Sequence, residues 1–315
     1  MKIADILQAR KRTEDLGLIV PIIEERIMID GMTDSRKRRR DVVHPSEVCS
    51  NDFCPREWLY CQRDPELYNR RRVNVQTQKR FDIGTLLHKY IQDKLGSAGV
   101  LFGMWECLRR CEDEKCIQVG FKPTSDACSK PHALWIYREP TIQDEDLNLY
   151  GNVDGIVVFN NRKFSLEFKS MNTNAFSTLV EPVSRDREQS FWYLDTLIRK
   201  GFLEWNTFLE LESNGIIDKA QEIMNLPYDG SILLYMDKNT QEFNEFTCPR
   251  SLLSVKEFMV EKDDSLNHII ETKKNMLRTT IEHLEAGTLC DRLVVCTEKT
   301  DRRVRFCRAK SICFS

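Results

Sequence analysis

Apolar residues recur at helical spacing in three segments of the chain. In residues 82–95 they return every three or four positions, which is typical of one face of a helix. The apolar positions of this segment are Ile83, Leu86, Leu87, Tyr90, Ile91 and Leu95. Residues 188–199 repeat the spacing, and residues 252–284 extend it over many turns. The pattern therefore predicts two helices of ordinary length and one long helix.

Other apolar segments have the pattern of strands. Residues 147–159 and 163–169 predict two strands joined by a turn at Asn160 and Asn161, because asparagine tolerates the left-handed backbone of tight turns. Residues 231–236 predict a third, short strand. Helices and strands around one core indicate a mixed α/β fold.

The predicted hairpin brings three charged residues together. Side chains alternate between the two faces of a strand, so Glu167 and Lys169 point the same way. Asp154 lies on the preceding strand, where hairpin pairing can bring it beside Glu167. Two converging carboxylates favour a divalent cation such as Mg²⁺ or Mn²⁺, and an adjacent lysine can orient an attacking water and offset phosphate charge. The alternative is a surface hairpin with an ordinary Glu–Lys pair.

Two helices carry further polar candidates. His88 lies at the edge of the apolar face of the first predicted helix, where it can bind a metal or simply make a hydrogen bond at the border of the core. Gln189 and Tyr193 are four residues apart and project from one side of the second helix. An amide and a phenol on one stripe suit contact with a phosphate backbone, and a solvated helix face is the alternative.

Composition limits where the protein acts. The 315 residues contain no apolar run of membrane-spanning length, and the N-terminus lacks the apolar core of a secretory signal, so we expect a cytoplasmic protein without membrane contact. The net charge of −2 gives no global attraction to nucleic acid. Basic runs at residues 36–40, 70–72 and 302–310 are candidate phosphate contacts, although such runs are also typical of solvated segments.

Twelve cysteines are a high count for a reducing compartment, where clustered cysteine favours metal binding over disulfides. One group is local: Cys107-x3-Cys111, a loop, and then Cys128-x3-His132. Two ligand pairs separated by a loop suit tetrahedral Zn²⁺, since each pair supplies one edge of the tetrahedron. Cys116 can replace a neighbouring ligand, and free thiols are the alternative.

Four motifs follow one another in the order of a known nuclease family. They are Gly84-x-x-x-His88, Gly151-x-x-Asp154, Glu167-x-Lys169 and Gln189-x-x-x-Tyr193. Over most of residues 44–315 the chain resembles the RecB-like branch of the P-D-(D/E)-X-K nuclease superfamily. It is most similar to the iron-sulfur exonucleases associated with CRISPR adaptation and to their phage-encoded relatives. The resemblance implies a restriction-endonuclease-like mixed sheet flanked by helices.

The resemblance also assigns a role to each motif residue. It implies that His88, Asp154 and Glu167 bind the catalytic Mn²⁺ or Mg²⁺ and that Lys169 assists the nucleophile. Gln189 and Tyr193 are implied to hold the active site and the DNA.

A second metal group follows from the same resemblance. Cys54, Cys296, Cys307 and Cys313 resemble the one-plus-three cysteine arrangement that holds a [4Fe-4S] cluster in that family, and four thiolates satisfy such a cluster. Cys49 and Cys61 are alternatives to Cys54, and Cys290 is an alternative among the C-terminal three. Without the resemblance, such dispersed cysteines are ordinary buried thiols.

These interpretations define segments and an expected function. We expect an N-terminal helical arm and basic linker at residues 1–43 and a nuclease domain at residues 44–315. Within that domain lie a zinc-binding insert at residues 100–140 and an iron-sulfur segment at residues 286–315.

The expected function is a metal-dependent exonuclease acting on single-stranded DNA ends in recombination, repair or replication. No phosphate-binding loop is present, so unwinding requires a partner such as a helicase or a recombination protein. If the chain is phage-encoded, it acts in the host cytoplasm. The alternatives are a structure-selective endonuclease and a catalytically silent, metal-stabilised DNA-binding module.

Overall fold

A computed structural model of the protein describes most of the chain from residue 39 onward. The described residues are 27, 29, 39–70, 74–108, 117–124, 134–205, 217–238, 255–261, 263–296, 298, 301 and 303–314, without the side chains of 69–70 and 217–219. Most of the arm predicted at residues 1–43 therefore lies outside them. Its last residue, Val43, belongs to the folded core, since its backbone pairs with Tyr150.

The described residues form eight helices, three short 3-10 turns and nine strands. The helices are α1 (Pro45–Val48), α2 (Pro55–Arg63), α3 (Val75–Ser97), α4 (Thr173–Thr178), α5 (Ser184–Lys200), α6 (Ile217–Asn225), α7 (Asp264–Glu285) and α8 (Lys310–Cys313). The 3-10 turns are Pro65–Arg70, Glu145–Leu147 and Val304–Phe306. The strands are β1 (Leu101–Cys107), β2 (Ile117–Phe121), β3 (Trp135–Arg138), β4 (Thr141–Asp144), β5 (Leu149–Asn152), β6 (Gly155–Phe159), β7 (Arg162–Met171), β8 (Tyr228–Asp237) and β9 (Val255–Val260).

Seven of the strands form one mixed sheet. Six of them follow the order β2-β1-β6-β7-β8-β9, and β3 also pairs with β1. β7 and β8 run parallel, and the other neighbours are antiparallel. β4 and β5 form a separate two-stranded sheet. The mixed α/β fold predicted from the sequence is thus confirmed.

Helices cover both faces of the central strand β7. On one face, Ile91 of α3 packs in a buried cluster with Phe168 and Met236. On the other face, the hydroxyl of Ser190 in α5 is 2.5 Å from that of Ser231 in β8. Because side chains alternate along a strand, α3 faces Phe168 while α5 faces its neighbour Glu167.

The hairpin formed by β6 and β7 is confirmed, including its turn. Asn160 and Asn161 connect the strands with φ angles of 50° and 58°. Positive φ at both central residues is the geometry of a type I′ turn, which matches the twist of the paired strands. This turn fixes the register in which Gly155 lies opposite Leu166.

Two predicted elements are wrong in extent. Residues 147–159 are not one strand, because β5 pairs with β4 while β6 pairs with β7, and the chain changes sheets at Val153 and Asp154. Residues 252–284 are not one helix. Val255–Val260 instead extends the sheet at the edge of β8, and the helix begins after Asp263, whose side chain accepts a hydrogen bond from the Leu266 amide.

The first predicted helix is present but longer, and its apolar face is narrower than predicted. Asn74 caps its N-terminus by accepting a hydrogen bond from the Thr77 amide at 2.8 Å. Leu86 and Tyr90, predicted to face the core, are 67% and 44% exposed. They lie on the side of α3 away from β7.

The turn gives a direct test of the hairpin. Replacing Asn161 with valine places a β-branched side chain in the left-handed region, which costs about 1–2 kcal/mol. We expect the free energy of unfolding in urea to fall by that amount. Asn161→Gly is the matched control, because glycine adopts the same φ without strain and should change stability by less than about 0.5 kcal/mol. Equal stabilities for the two variants would contradict the assigned turn.

Candidate active site

Asp154 lies where the ladder between β6 and β7 stops. The last pair is Gly155 with Leu166, so Asp154 falls opposite Glu167, as the sequence predicted. The Oδ2 atom of Asp154 accepts a hydrogen bond from the backbone amide of Phe168 at 2.6 Å. This bond holds the aspartate against the strand that carries Glu167 and Lys169.

A chain of hydrogen bonds links β7 to α5. The Nζ atom of Lys169 lies 2.6 Å from Oε1 of Glu167 and donates to Oε1 of Gln189 at 3.1 Å. The Nε2 atom of Gln189 donates to the same Glu167 oxygen at 2.9 Å and to the Tyr193 hydroxyl at 3.3 Å. Lys169, Glu167, Gln189 and Tyr193 therefore form one network.

Gln189 and Tyr193 are buried, so the solvated-face alternative for α5 is wrong. The side-chain amide of Gln189 contacts Glu167, and it also contacts the hydroxyl of Tyr193. In this structure they organise the charged residues of β7, which agrees with the positioning part of the role that the resemblance implied. They are not exposed to a nucleic-acid backbone.

Only one of the two carboxylate oxygens of Glu167 takes part in this network. Its side chain is 4% exposed, and its Oε2 atom has no hydrogen-bond partner among the described residues. Burial raises the pKa of Glu167 to about 8, although the charge of Lys169 opposes this shift. An unpartnered carboxylate oxygen in a buried site is a candidate ligand for a cation, because a cation would stabilise the charged form.

His88 reaches the site from α3, on the opposite face of the sheet. Its ring stands edge-on to Phe168, with ring centroids 4.5 Å apart, and its Nδ1 atom is 3.4 Å from Oδ1 of Asp154. Burial lowers the pKa of His88, but the hydrogen bond and charge of Asp154 and the charge of Glu167 outweigh it, so the pKa is raised. The structure therefore places His88 beside Asp154, while its role as a metal ligand stays a prediction of the family resemblance.

Besides Asp154 and Glu167, the site contains a third acidic residue, Glu139, which lies close to His88 and Asp154. Within the described part of the chain, His88, Glu139 and Asp154 are the group whose potential ligand atoms all lie within 4.8 Å of one another. Such a group can hold a metal ion. The grouping contains Glu139 rather than Glu167, whose Oε1 is engaged by Lys169 and Gln189.

Sequence reasoning missed Glu139 and its neighbour Gln92. Nε2 of Gln92 donates to Oε1 of Glu139 at 3.1 Å and to the backbone carbonyl of Asp154 at 2.9 Å. Gln92 follows His88 by four residues on α3, so both side chains project from the same side of the helix. This spacing could have identified Gln92 from the sequence. Glu139 follows β3 with no motif around it, and its position depends on pairing with a distant strand.

A cleft of about 1070 Å³ opens beside this group. One wall is α3, with Thr85, His88 and Lys89, and the other is formed by β1 and β3 with their flanking residues. Asp154 and Glu139 lie in the lining. The site is therefore open to a ligand of substantial size.

Three of the four cysteines proposed as cluster ligands line one cavity. Cys54, Cys296 and Cys307 surround a volume of about 270 Å³. Burial raises the pKa of Cys296, and the charge of Cys313 adds to that shift. Cys313 itself does not line the cavity.

The alternative cysteines are placed differently. Cys49 and Cys61 are fully buried in hydrophobic clusters. Cys290 packs against the main core, and its backbone carbonyl accepts a hydrogen bond from Arg56. None of the three lines the cavity that holds Cys54, Cys296 and Cys307.

Cys107 is the described member of the predicted zinc group. It is buried at the end of β1 and pairs with Trp135 at the start of β3. Cys111, Cys128 and His132 lie outside the described residues, as does the alternative Cys116.

The C-terminal basic run is partly internal. Arg303 donates hydrogen bonds to the carbonyls of Asn51 and Phe53, and Arg308 bonds to Glu57. These two arginines join the C-terminal segment to the region of α2, and their contact with phosphate stays a prediction.

No family model matches the chain. No curated protein matches it either. Among the described helices, none combines the length and the apolar character that crossing a membrane requires.

The buried carboxylate of Glu167 predicts an unusual pH dependence in metal-free protein. Its raised pKa means that the folded state holds this proton more tightly than the unfolded chain does. The bound proton therefore adds to the free energy of unfolding below the ordinary glutamate pKa. This contribution is lost as the pH rises through about 8. We expect a loss on the order of 1–3 kcal/mol between pH 5.5 and 8.5 in EDTA, measured by urea unfolding.

Glu167→Gln is the control, because it keeps the shape and removes the titration. The wild type should lose more stability than this variant over the same pH range. Mg²⁺ at pH 8.5 should then restore stability to the wild type alone. Parallel pH profiles for the two proteins would contradict the buried position of the carboxylate.

Proposed function

We propose that the chain is a divalent-metal-dependent deoxyribonuclease of the RecB-like branch of the P-D-(D/E)-X-K superfamily. The observation that carries the proposal is the meeting of Asp154, Glu167 and Lys169 at the end of one hairpin, with a buried, unpartnered Oε2 on Glu167. Asp154 and Glu167 would hold the cation, with His88 as a further ligand. The imidazole favours Mn²⁺ alongside Mg²⁺.

The protein groups have separable roles in this proposal. A bound divalent cation supplies charge stabilisation for phosphodiester hydrolysis and lowers the pKa of water. Burial lowers the pKa of Lys169, but the charges of Glu167 and Asp154 outweigh it and keep the ammonium protonated. Lys169 therefore acts as a hydrogen-bond donor and a fixed positive charge beside the scissile phosphate rather than as a base.

The network behind Lys169 fixes its direction. Glu167 and Gln189 accept hydrogen bonds from Nζ, which leaves donor capacity for a water or a phosphate oxygen. Gln189 is itself held by Tyr193. Such preorganised donors contribute more inside a buried site than they would in water.

We propose DNA ends, single-stranded or unpaired, as the substrate. This specificity comes from the family resemblance and not from any contact in the site. An unwinding partner, a helicase or a recombination protein, would supply single strands from duplex DNA.

We further propose that Cys54, Cys296, Cys307 and Cys313 hold a [4Fe-4S] cluster. The support is the cavity that Cys54, Cys296 and Cys307 share. Burial raises the pKa of Cys307 to about 12, so a thiolate there requires a metal to stabilise it. A cluster places its thiolates on different irons, so its ligands stand further apart than those of one ion.

For the cysteine-rich insert we propose a Zn²⁺ site at Cys107, Cys111, Cys128 and His132. β1 and β3 are paired as far as Cys107 and Trp135, and the amide of Leu108 donates to the carbonyl of Leu134 at 2.9 Å. The two ligand pairs therefore start from adjacent points of the sheet. This is the arrangement that a loop closed by one metal ion requires.

The nuclease proposal predicts metal-dependent cleavage that needs Lys169. Linear DNA labelled at its 5′ or 3′ end should be shortened in Mn²⁺ or Mg²⁺ and remain intact in EDTA. Lys169→Ala should lower kcat by about 10²–10³, the effect of removing one preorganised donor. Lys94→Ala is the control, since Lys94 is an exposed lysine of α3 that stacks on Tyr90.

Linear and covalently closed DNA substrates distinguish an exonuclease from an endonuclease. Covalently closed single-stranded circles should survive if ends are required, and their cleavage would assign an endonuclease instead. Binding of DNA without cleavage in either metal would contradict the nuclease proposal and favour a silent binding module.

The cluster proposal predicts a brown protein with about four irons per chain after anaerobic preparation. Cys307→Ser should lose most of the iron and the visible absorbance. Cys290→Ser should retain both, because Cys290 lies outside the cavity. Iron-free wild type would overturn the cluster, and iron loss in Cys290→Ser instead of Cys307→Ser would reassign the ligand.

A further inference from the structure

One side of α3 carries both the candidate metal ligand His88 and an exposed aromatic ring. Phe81, Thr85, His88 and Gln92 follow one another at intervals of three or four residues, so their side chains project from the same side of the helix. Thr85, His88 and Gln92 line the cleft. Phe81 is one helical turn before Thr85, so it continues the same row of side chains just beyond the cleft lining.

The ring of Phe81 is open to solvent. The residue is 57% exposed, and within the described part of the chain its ring makes no aromatic or cation–π contact. Tyr90 is an exposed aromatic residue of the same helix, but it points to the opposite side of α3, where Nζ of Lys94 lies 5.3 Å from its ring centroid. A single exposed apolar side chain is ordinary on a protein surface. The position of Phe81 beside the cleft therefore carries the inference, and not its exposure alone.

Gly84 fixes this part of α3 against the central strand. A Cβ at Gly84 would lie 3.4 Å from Oγ of Ser170, the residue directly after Lys169, so the helix backbone closely approaches the end of β7. Phe81 precedes Gly84 by about 4.5 Å along the helix axis and His88 by about 10 Å. The exposed ring therefore stands beside the candidate active site.

Basic residues accompany the ring. Lys89 lines the cleft, and Lys79 and Arg80 directly precede Phe81 in α3. All three are exposed. Cations that attract phosphates, together with an aromatic ring that stacks on bases, are the combination that binds single-stranded nucleic acid without sequence preference.

We propose that the ring of Phe81 stacks on an unpaired base of a single DNA strand whose scissile phosphate lies at Asp154, Glu167 and Lys169. The axial distance of about 10 Å between Phe81 and His88 equals roughly three stacked nucleotides, so the stacked base lies within a few nucleotides of that phosphate. The inference rests on the proposed nuclease function and assigns a residue to its substrate specificity.

Stacking on Phe81 requires a base with a free face. Inside a duplex, neighbouring base pairs cover both faces of each base, and exposing one face costs unstacking energy. Every base has a π-face, so the same contact does not distinguish one base from another. Phe81 would therefore select unpaired DNA while accepting any sequence.

The test measures binding without cleavage. Full-length holoprotein, with its iron and zinc contents measured first, is mixed with a fluorescently labelled single-stranded oligonucleotide in buffer without added divalent cations, and binding is followed by fluorescence anisotropy. Phe81→Ala should raise Kd about tenfold, which lies within the range for loss of one base–aromatic stack. Phe81→Trp should bind at least as tightly as the wild type, because the indole offers a larger π-face. Neither variant should change Kd for a blunt-ended duplex.

Tyr90→Ala is the matched control. It removes an exposed aromatic ring from the same helix, on the side away from the cleft, so Kd for the single strand should not change. Alanine has the highest helix propensity, so α3 should stay folded in both alanine variants, and circular dichroism checks this.

An oligonucleotide with one abasic position distinguishes stacking on a base from contact with the backbone. The abasic position is moved along the strand one nucleotide at a time. The wild type should lose about tenfold in affinity at one position, and Phe81→Ala should lose nothing further there. The inference is overturned if Phe81→Ala binds the intact strand as tightly as the wild type does, or if no abasic position weakens the wild type more than the variant.

These outcomes are separable from the nuclease proposal. A chain that shows the Phe81-dependent base contact but cuts no DNA keeps the stacking site and loses the proposed function. A chain that cuts DNA, and whose Phe81→Ala variant binds single strands unchanged, keeps the function and loses the stacking site.

Discussion

The hydrogen bond from the Phe168 amide to Asp154 is the constraint on which the candidate site depends. β6 stops pairing with β7 at Gly155, which frees this amide for a side chain. A Cβ at Gly155 would lie 2.7 Å from the Cδ1 atom of Leu101, so a larger residue would require the Leu101 side chain to move. Because the ladder ends here, Asp154 can meet Glu167 from one face of the sheet and His88 from the other. A site assembled elsewhere along the hairpin would receive side chains from one face only.

The second constraint is the cost of burying charge. Glu167 lies in the interior, where a carboxylate is unfavourable unless it is paired. Lys169 and Gln189 reduce that cost on one oxygen, and the other has no partner among the described residues. The remaining cost makes the centre a candidate cation site, since a divalent ion would replace the missing interaction. The same burial that destabilises the metal-free carboxylate would strengthen binding of such an ion.

The sequence patterns predicted those parts of the site whose positions are set within a single strand, turn or helix. The alternation of β7 and the asparagine turn placed Glu167, Lys169 and Asp154 correctly relative to one another. The helical spacing placed His88 on a helix but did not relate it to those three residues. Glu139 could not be found in this way, because it is delivered by β3, which pairs with β1 rather than with the hairpin. The predicted strand over residues 147–159 was wrong for a similar reason. Most of its apolar residues are buried on both sides of Val153, so hydrophobicity alone did not reveal that the chain moves from one sheet to another there. Long-range pairing, and not local preference, decided both cases.

The cysteine cavity depends on contacts that need no metal. Arg303 bonds to the carbonyls of Asn51 and Phe53, and Arg308 bonds to Glu57, so residues about 250 positions apart are joined by protein groups alone. These bonds bring Cys296 and Cys307 to the same cavity as Cys54. Ligands organised in this way would lose little further conformational freedom on binding a cluster, which favours binding. The arginines that looked like a nucleic-acid patch therefore have a structural explanation: they hold the C-terminal segment against α2 and thereby shape the cavity between them.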